Sequence, residues 1–347
     1  MLAPIATRTA KLAYLQQHMS MYLAAAVVQR AVRRIALGKE PPPSTEDLAA
    51  LRNRFRRLLS RDFANAESGL YPMSLLFSLP VADYVRALPR LAADLPAVLR
   101  RRKRGDYKDL PTEVDLKKYP PYYRRTFHWQ SDGYLSRRSA QLYDIGVELL
   151  FGGTADVMRR QIIAPIVDHA RTLQTPAKIL DVACGTGRAL EQLRRALPQA
   201  SYEAVDLSDY YLQEARRRLG DPADVTFVEA NAEALPQADA TFDAVFSVYL
   251  FHELPRNARR NVWRQMARVT KPGGLIVIED SIQQADAAGL AFFAERFSDD
   301  MHEPFYRDYL RDDLAEGLRE VGLDVVEVVD AFLSKVVVAR KPDPVLH

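Results

Sequence analysis

From residue 178 onward the sequence alternates short β-rich runs with amphipathic helical stretches, and this alternation constrains the fold more than any other feature. The runs cover residues 178–182, 202–206, 225–229, 242–248, 275–280, 325–329 and 335–339. Helical patterns fall between the first five. Strands separated by helices need crossover connections, so the expected class is α/β with a mostly parallel sheet covered on both faces.

The first half of the chain reads differently. Residues 1–40 are rich in Ala, Leu and Met and read as helix, stopped by Gly38 and Pro41-Pro42-Pro43. Ser44 or Thr45, followed by Glu46 and Asp47, marks a new helix start. Residues 73–104 read as further helix, broken by Pro80, Pro89 and Pro96. Residues 105–121 are polar and proline-punctuated and read as a loop or linker. Two more helices are expected over 136–150 and 154–173. The chain is thus expected to divide into a helical N-terminal extension with a basic linker, 1–121, and a domain at 122–347 that includes an aromatic lid segment, 122–172.

Charge follows the same division. Residues 1–150 carry 25 Lys and Arg against 14 Asp and Glu, and the remainder carries 23 against 31. Such asymmetry suits docking of one half on the other, and also contact with an anionic surface. The single cysteine, Cys184, allows no internal disulfide and fits a reducing compartment. The apolar stretch 19–28 ends in Gln29, Arg30, Arg33 and Arg34, short of the roughly 20 residues needed to span a bilayer. A cytoplasmic location is expected, with peripheral membrane contact left open.

The sharpest motif is Ile179-Leu180-Asp181-Val182-Ala183-Cys184-Gly185-Thr186-Gly187-Arg188, an apolar strand that enters a small-residue turn and then a helix. Small residues let a ligand approach the backbone, and the helix start presents free N–H groups. Asp206 ends the next run, where a carboxylate can accept both hydroxyls of a ribose. The acidic Asp181 inside the turn would repel a pyrophosphate but not an amino group or a sulfonium. Later come Ala230-Asn231-Ala232-Glu233-Ala234-Leu235-Pro236 and Lys271-Pro272-Gly273-Gly274-Leu275.

In this order of motifs the stretch 140–340 resembles class I S-adenosylmethionine (SAM) dependent methyltransferases, and Asp-Val-Ala-Cys-Gly-Thr-Gly is most similar to the ubiquinone/menaquinone C-methyltransferase branch. The resemblance implies a Rossmann-like, doubly wound, seven-stranded sheet with one antiparallel strand near its end. It implies that Asp181, Ala183, Gly185 and Gly187 surround the methionine part of SAM. Asp206 would bind the ribose, Leu207 would lie against the adenine, and Asn231 and Ala232 would read the adenine edge. Ser247 would lie at the sulfonium end, and Tyr143, within Ser139-Ala140-Gln141-Leu142-Tyr143-Asp144, near SAM. Ala183 stands where the family more often has Gly, and Asn231 where Asp is common.

Three clusters are candidates for the acceptor side. Tyr249-Leu250-Phe251-His252-Glu253-Leu254 follows the fourth run, and there His252 is a candidate proton acceptor tuned by Glu253, with Tyr249 as pocket lining. His302 and Glu303, before Pro304, are candidates to face the acceptor. The third cluster is Tyr122-Tyr123-Arg124-Arg125-Thr126-Phe127-His128-Trp129-Gln130, readable as a substrate lid or as packing. No metal site is expected, because no ligand constellation stands out by spacing. The reading is a SAM-dependent methyltransferase acting on a small hydrophobic or aromatic acceptor, with candidate catalytic residues His252, Tyr249 and His302. Nucleic acid is not expected as a partner. An RNA methyltransferase and a non-catalytic, membrane-associated scaffold remain the alternatives, and the N-terminal helices are a candidate homodimer contact.

Overall fold

A computed structural model describes residues 2–37, 44–286, 290 and 302–344. Seven strands form one sheet in the order β3-β2-β1-β4-β5-β7-β6. They are β1 (Lys178–Val182), β2 (Ser201–Asp206), β3 (Val225–Glu229), β4 (Phe242–Val248), β5 (Thr270–Ser281), β6 (Asp324–Ala331) and β7 (Ser334–Arg340). The first five run parallel, and β7 is antiparallel to both β5 and β6. The strand order reverses between β1 and β4. In open α/β sheets a ligand crevice forms at that point, outside the C-terminal strand ends.

Alternate side chains serve the two faces of the sheet. Ile179, Ala204, Phe246, Val277 and Val336 face one hydrophobic core, and Leu180, Val205, Val245, Ile276 and Val337 face the other. The second core is closed by helix Arg256–Val269, whose Trp263 and Met266 are fully buried.

The first core also takes in the N-terminal helices α1 (Leu2–Leu37) and α2 (Thr45–Glu67). Ser44 caps α2: its hydroxyl accepts from the Asp47 N–H, and the Asp47 carboxylate accepts from the Ser44 N–H, a reciprocal capping box. Phe55 of α2 meets Phe332 edge-on at 5.7 Å. The buried Asp62 accepts two hydrogen bonds from Arg160 and one each from the hydroxyls of Tyr14 and Tyr71. The buried Arg54 and the exposed Arg57 both pair with Asp330 of β6. The basic first half thus docks onto the acidic second half.

Helix α3 (Val81–Arg104) contradicts the expected breaks, for it runs on through Pro89 and Pro96. The two prolines are seven residues apart and so share one face. Pro89, Pro96 and the residues four before them, Val85 and Ala92, are all exposed. Water can satisfy the carbonyls that each ring deprives of a donor. The opposite face, with Ala87 and Leu91, packs on Leu142 and Ile145 of helix α4 (Arg137–Leu150). Residues 105–121 form a strap and not a loose linker. Tyr107 stacks on His302 at 4.9 Å, and Tyr119 on Tyr123 at 5.4 Å. Among the described residues no helix is long and apolar enough to cross a membrane.

Candidate active site

A cavity opens at the C-terminal ends of β1, β2 and β4, where the topology places a crevice. Its floor is the turn after β1. Ala183 takes φ 61°, a left-handed conformation unusual for a residue with a Cβ, and Gly185 takes φ 55°. This tight turn lets the Gly185 N–H donate to Asp206 at the end of β2, at 2.8 Å. The other carboxylate oxygen of Asp206 accepts from the Ser208 N–H at 2.8 Å. Burial holds the Asp206 carboxyl up at about 6, although these N–H groups pull it down. Asp181 is 2% exposed, and its Oδ2 has no hydrogen-bond partner. Burial, and then the nearby charge of Asp206, push its carboxyl well above the ordinary range.

Of the ten positions expected to hold a cofactor, the structure brings eight to the cavity wall: Tyr143, Asp181, Ala183, Gly185, Asp206, Leu207, Asn231 and Ala232. Ser247 is turned away. It is fully buried, and its hydroxyl donates to the Val182 carbonyl at 2.8 Å, tying β4 to β1, so Val248 and Tyr249 line the cavity there. Gly187 caps helix Arg188–Ala196 with φ 73°, and a Cβ at that position would meet the Ala215 Cβ at 3.1 Å. Its hydrogen atom faces the neighbouring helix.

Residues 179–274 match the methyltransferase domain family. The chain is 31% identical to a ubiquinone/menaquinone biosynthesis C-methyltransferase of Methylobacterium nodulans over 47% of this chain and 63% of that protein. It is 34% identical to the O-methyltransferase cnsE of Penicillium expansum over 44% of this chain and 54% of that one. With a demethylmenaquinone methyltransferase of Thermotoga maritima it shares 32% identity over 41% of this chain and 57% of the relative. The chain thus spans somewhat over half the length of these relatives. Residues 179–274 thus carry a methyltransferase domain, and these similarities support a class I SAM-dependent methyltransferase.

The cavity fits SAM by its donor set. The cofactor of such a methyltransferase carries an ammonium, a sulfonium, two ribose hydroxyls and an exocyclic amine, all cations or hydrogen-bond donors. The wall answers with acceptors. Asp181 offers an unpartnered buried carboxylate oxygen, Asp206 retains lone pairs beyond its two backbone bonds, and Asn231 offers an amide oxygen that also accepts from the Glu233 N–H. For the cofactor's one carboxylate, the wall holds Arg159, whose guanidinium also reaches Asp156 at 3.1 Å and Asp144 at 3.7 Å.

The other side of the cavity is aromatic. Tyr122, Tyr123, Tyr134, Tyr143, Tyr211 and Tyr249 all line it. Burial pushes the phenols of Tyr123, Tyr134 and Tyr143 well above their ordinary range, so they stay neutral donors. The Tyr249 ring stacks on Phe151 at 5.5 Å, while its hydroxyl meets Ser334 at 3.0 Å, away from the cofactor wall.

At the edge of this aromatic wall lies a polar group drawn from three distant segments. Glu253 lines the cavity and accepts from the Tyr134 hydroxyl. His128 Nε2 is 3.3 Å from Glu253 Oε1, and its Nδ1 is 3.0 Å from Glu303 Oε1. His252 holds Asp280 through Nδ1 at 2.6 Å and faces Glu253 with Nε2 at 3.9 Å. Burial disfavours the charged form of His252, but the charge and hydrogen bond of Asp280 outweigh it and raise its pKa. His302 stands behind this group, against Tyr107 and Trp129. Burial, and then the charge of Arg125, lower its pKa to about 4, so its ring is neutral.

The expectation of no metal site therefore meets a compact His/Glu constellation. Sequence spacing concealed it, because His128 lies 124 positions before His252. Three further residues escaped the sequence reading. Asp280 looked like a strand end, while Arg159 and Tyr211 looked like ordinary helix positions. A buried acid directly after an apolar strand was the one available signal for Asp280.

Proposed function

We propose that the chain transfers the methyl group of SAM to a carbon or oxygen atom of a small hydrophobic or aromatic acceptor. One observation carries this reading: a single cavity has a cation- and donor-accepting wall at Asp181, Asp206 and Asn231 and an aromatic wall ending in Glu253. Bound SAM supplies an electrophilic methyl group, whose transfer leaves S-adenosylhomocysteine and requires the acceptor to shed a proton.

The chain's own residues do the rest. The tyrosines enclose an apolar acceptor and exclude water, and positioning of this kind supplies much of a rate enhancement. Glu253, which lines the cavity, holds the acceptor's oxygen and draws off its proton, with His252 behind it. His252 is oriented for this by Asp280. Tyr249 acts through its ring, since its hydroxyl is occupied by Ser334. His302 acts by packing against the strap and lid.

Two measurements test the reading. Titration with S-adenosylhomocysteine is expected to show micromolar or tighter binding that Asp206→Ala abolishes. Incubation with methyl-labelled SAM and a small-molecule extract is expected to label an apolar aromatic compound. Absence of binding, or full binding by Asp206→Ala, would overturn it.

A further inference from the structure

We propose that His128, His252, Glu253 and Glu303 bind a divalent first-row transition-metal ion at the acceptor end of the cavity. The proposal deepens the function above and rests on it for the ion's role, but not for its binding.

Each of the four residues offers one ligand atom, and all four atoms lie within 4.8 Å of one another. A tetrahedral zinc site with bonds of about 2.1 Å needs ligand atoms roughly 3.4 Å apart. His128 Nε2 and Glu253 Oε1 are already 3.3 Å apart. Side-chain shifts of about an ångström are enough to close the rest.

Two observations point to a ligand. The Glu303 side chain is fully buried, yet among the described residues neither of its oxygens has a hydrogen-bond partner. Its 3.0 Å approach to His128 Nδ1 is out of line for one. A buried carboxylate left this way is costly unless a proton neutralises it or a cation completes it. Secondly, His252 is prepared as metal-binding histidines are. Its Nδ1 is occupied by Asp280, and Asp280 is itself held by the N–H groups of Phe251 and Ser281. This fixes the ring and leaves Nε2 as the basic nitrogen facing Glu253.

The donor set selects the ion. Two imidazoles and two carboxylates suit Zn²⁺, Fe²⁺ or Mn²⁺, whereas Mg²⁺ and Ca²⁺ prefer oxygen alone. Glu253 reaches both the cavity and the cluster, so an ion here could take an acceptor hydroxyl or carbonyl as a fifth ligand. It would stabilise the oxyanion formed when the hydroxyl proton leaves to water. In that arrangement His252 serves as a ligand, and the ion takes over the task of acidifying the acceptor.

The test uses the full chain, stripped with chelator and dialysed. Calorimetric titration with Zn²⁺ is expected to show one saturable site of micromolar or tighter affinity, with Mg²⁺ at least 100-fold weaker. Co²⁺ in its place is expected to give visible absorption bands at one equivalent. His128→Ala and Glu303→Gln are each expected to weaken Zn²⁺ at least 100-fold, and Asp280→Asn by roughly 10–100-fold. S-adenosylhomocysteine affinity of the His128→Ala protein should stay within about threefold, which shows that the variant is folded. If S-adenosylhomocysteine binds but no saturable Zn²⁺ binding appears, the metal site is wrong and the methyltransferase reading stands. Equal Zn²⁺ binding by the wild-type, His128→Ala and Glu303→Gln proteins would also overturn the site. Zn²⁺ binding without S-adenosylhomocysteine binding would support the site and overturn the function.

Discussion

The two walls of the cavity are built in opposite ways. The proposed SAM wall comes mainly from one stretch, Asp181 to Ala232, carried on the ends of three adjacent parallel strands. Its polar groups are anchored to the backbone, as Asp206 is by the Gly185 and Ser208 N–H groups. The acceptor wall is gathered from five segments, at 122–143, 211, 249–254, 280 and 303. Its polar groups are held by one another, His128 between two glutamates and His252 against Asp280. Strand ends give a rigid platform, while loops and helices can vary what sits opposite. A common cofactor chemistry and a particular acceptor can thus be set independently in one cavity.

If the walls are separable, substitutions on the SAM wall should act on cofactor affinity alone. The largest effect is expected from Asp206→Ala. Two hydrogen bonds from ribose hydroxyls to a carboxylate contribute about 1.5–3 kcal/mol each, so affinity for S-adenosylhomocysteine should fall roughly 100-fold or more by calorimetry. A loss under tenfold would mean that the ribose lies elsewhere.

Acid should weaken the same wall without touching the sequence. The carboxyl of Asp206 is raised to about 6, and its charged form is the better acceptor. Affinity should therefore be full above pH 7 and fall below pH 6, by about tenfold at pH 5, since one pH unit corresponds to about 1.36 kcal/mol for one proton. Asp181, whose carboxyl burial also pushes up, acts in the same direction when it meets the cofactor's ammonium. A flat affinity between pH 7 and pH 5 would show that neither carboxylate touches the ligand.

The acceptor wall supplies the complementary case. Glu253→Gln should lower methyl transfer at least tenfold while changing S-adenosylhomocysteine affinity by no more than about threefold. Glu253 lines the cavity but takes its hydrogen bonds from the acceptor side, from Tyr134 and His128. A large loss of cofactor affinity would join the two walls into one unit.

The same contrast explains what could be read from the sequence. The seven strands, the turn at Ala183–Gly185 and the carboxylates Asp181 and Asp206 were legible because each is a local pattern: short β-rich apolar runs, small residues at a tight turn, an acid at a strand end. The prolines of α3 misled because their harm depends on which face they occupy, and that is set by packing on α4. The His/Glu cluster was invisible as a unit. His128, His252 and Glu303 each stood out singly, but only the fold brings positions 128, 252 and 303 together. Ser247 shows the limit in the other direction, since strand period alone does not say which neighbouring carbonyl its hydroxyl will find.

Gly187 is where motif and geometry part most clearly, and the smallest expected effect on affinity tests it. Its place in the glycine-rich turn suggests contact with SAM, yet it stands behind the cavity wall, with φ 73° and the Ala215 Cβ at 3.1 Å from where its own Cβ would be. Gly187→Ala should therefore act on the fold. A left-handed residue with a Cβ costs about 1–2 kcal/mol, and the close approach of Ala215 adds to that. Thermal unfolding should begin a few degrees lower, while S-adenosylhomocysteine affinity at 20 °C stays within about twofold. The reverse result, an unchanged melting curve with a tenfold loss of affinity, would return Gly187 to the SAM wall and make the whole turn, not only its first half, part of the site.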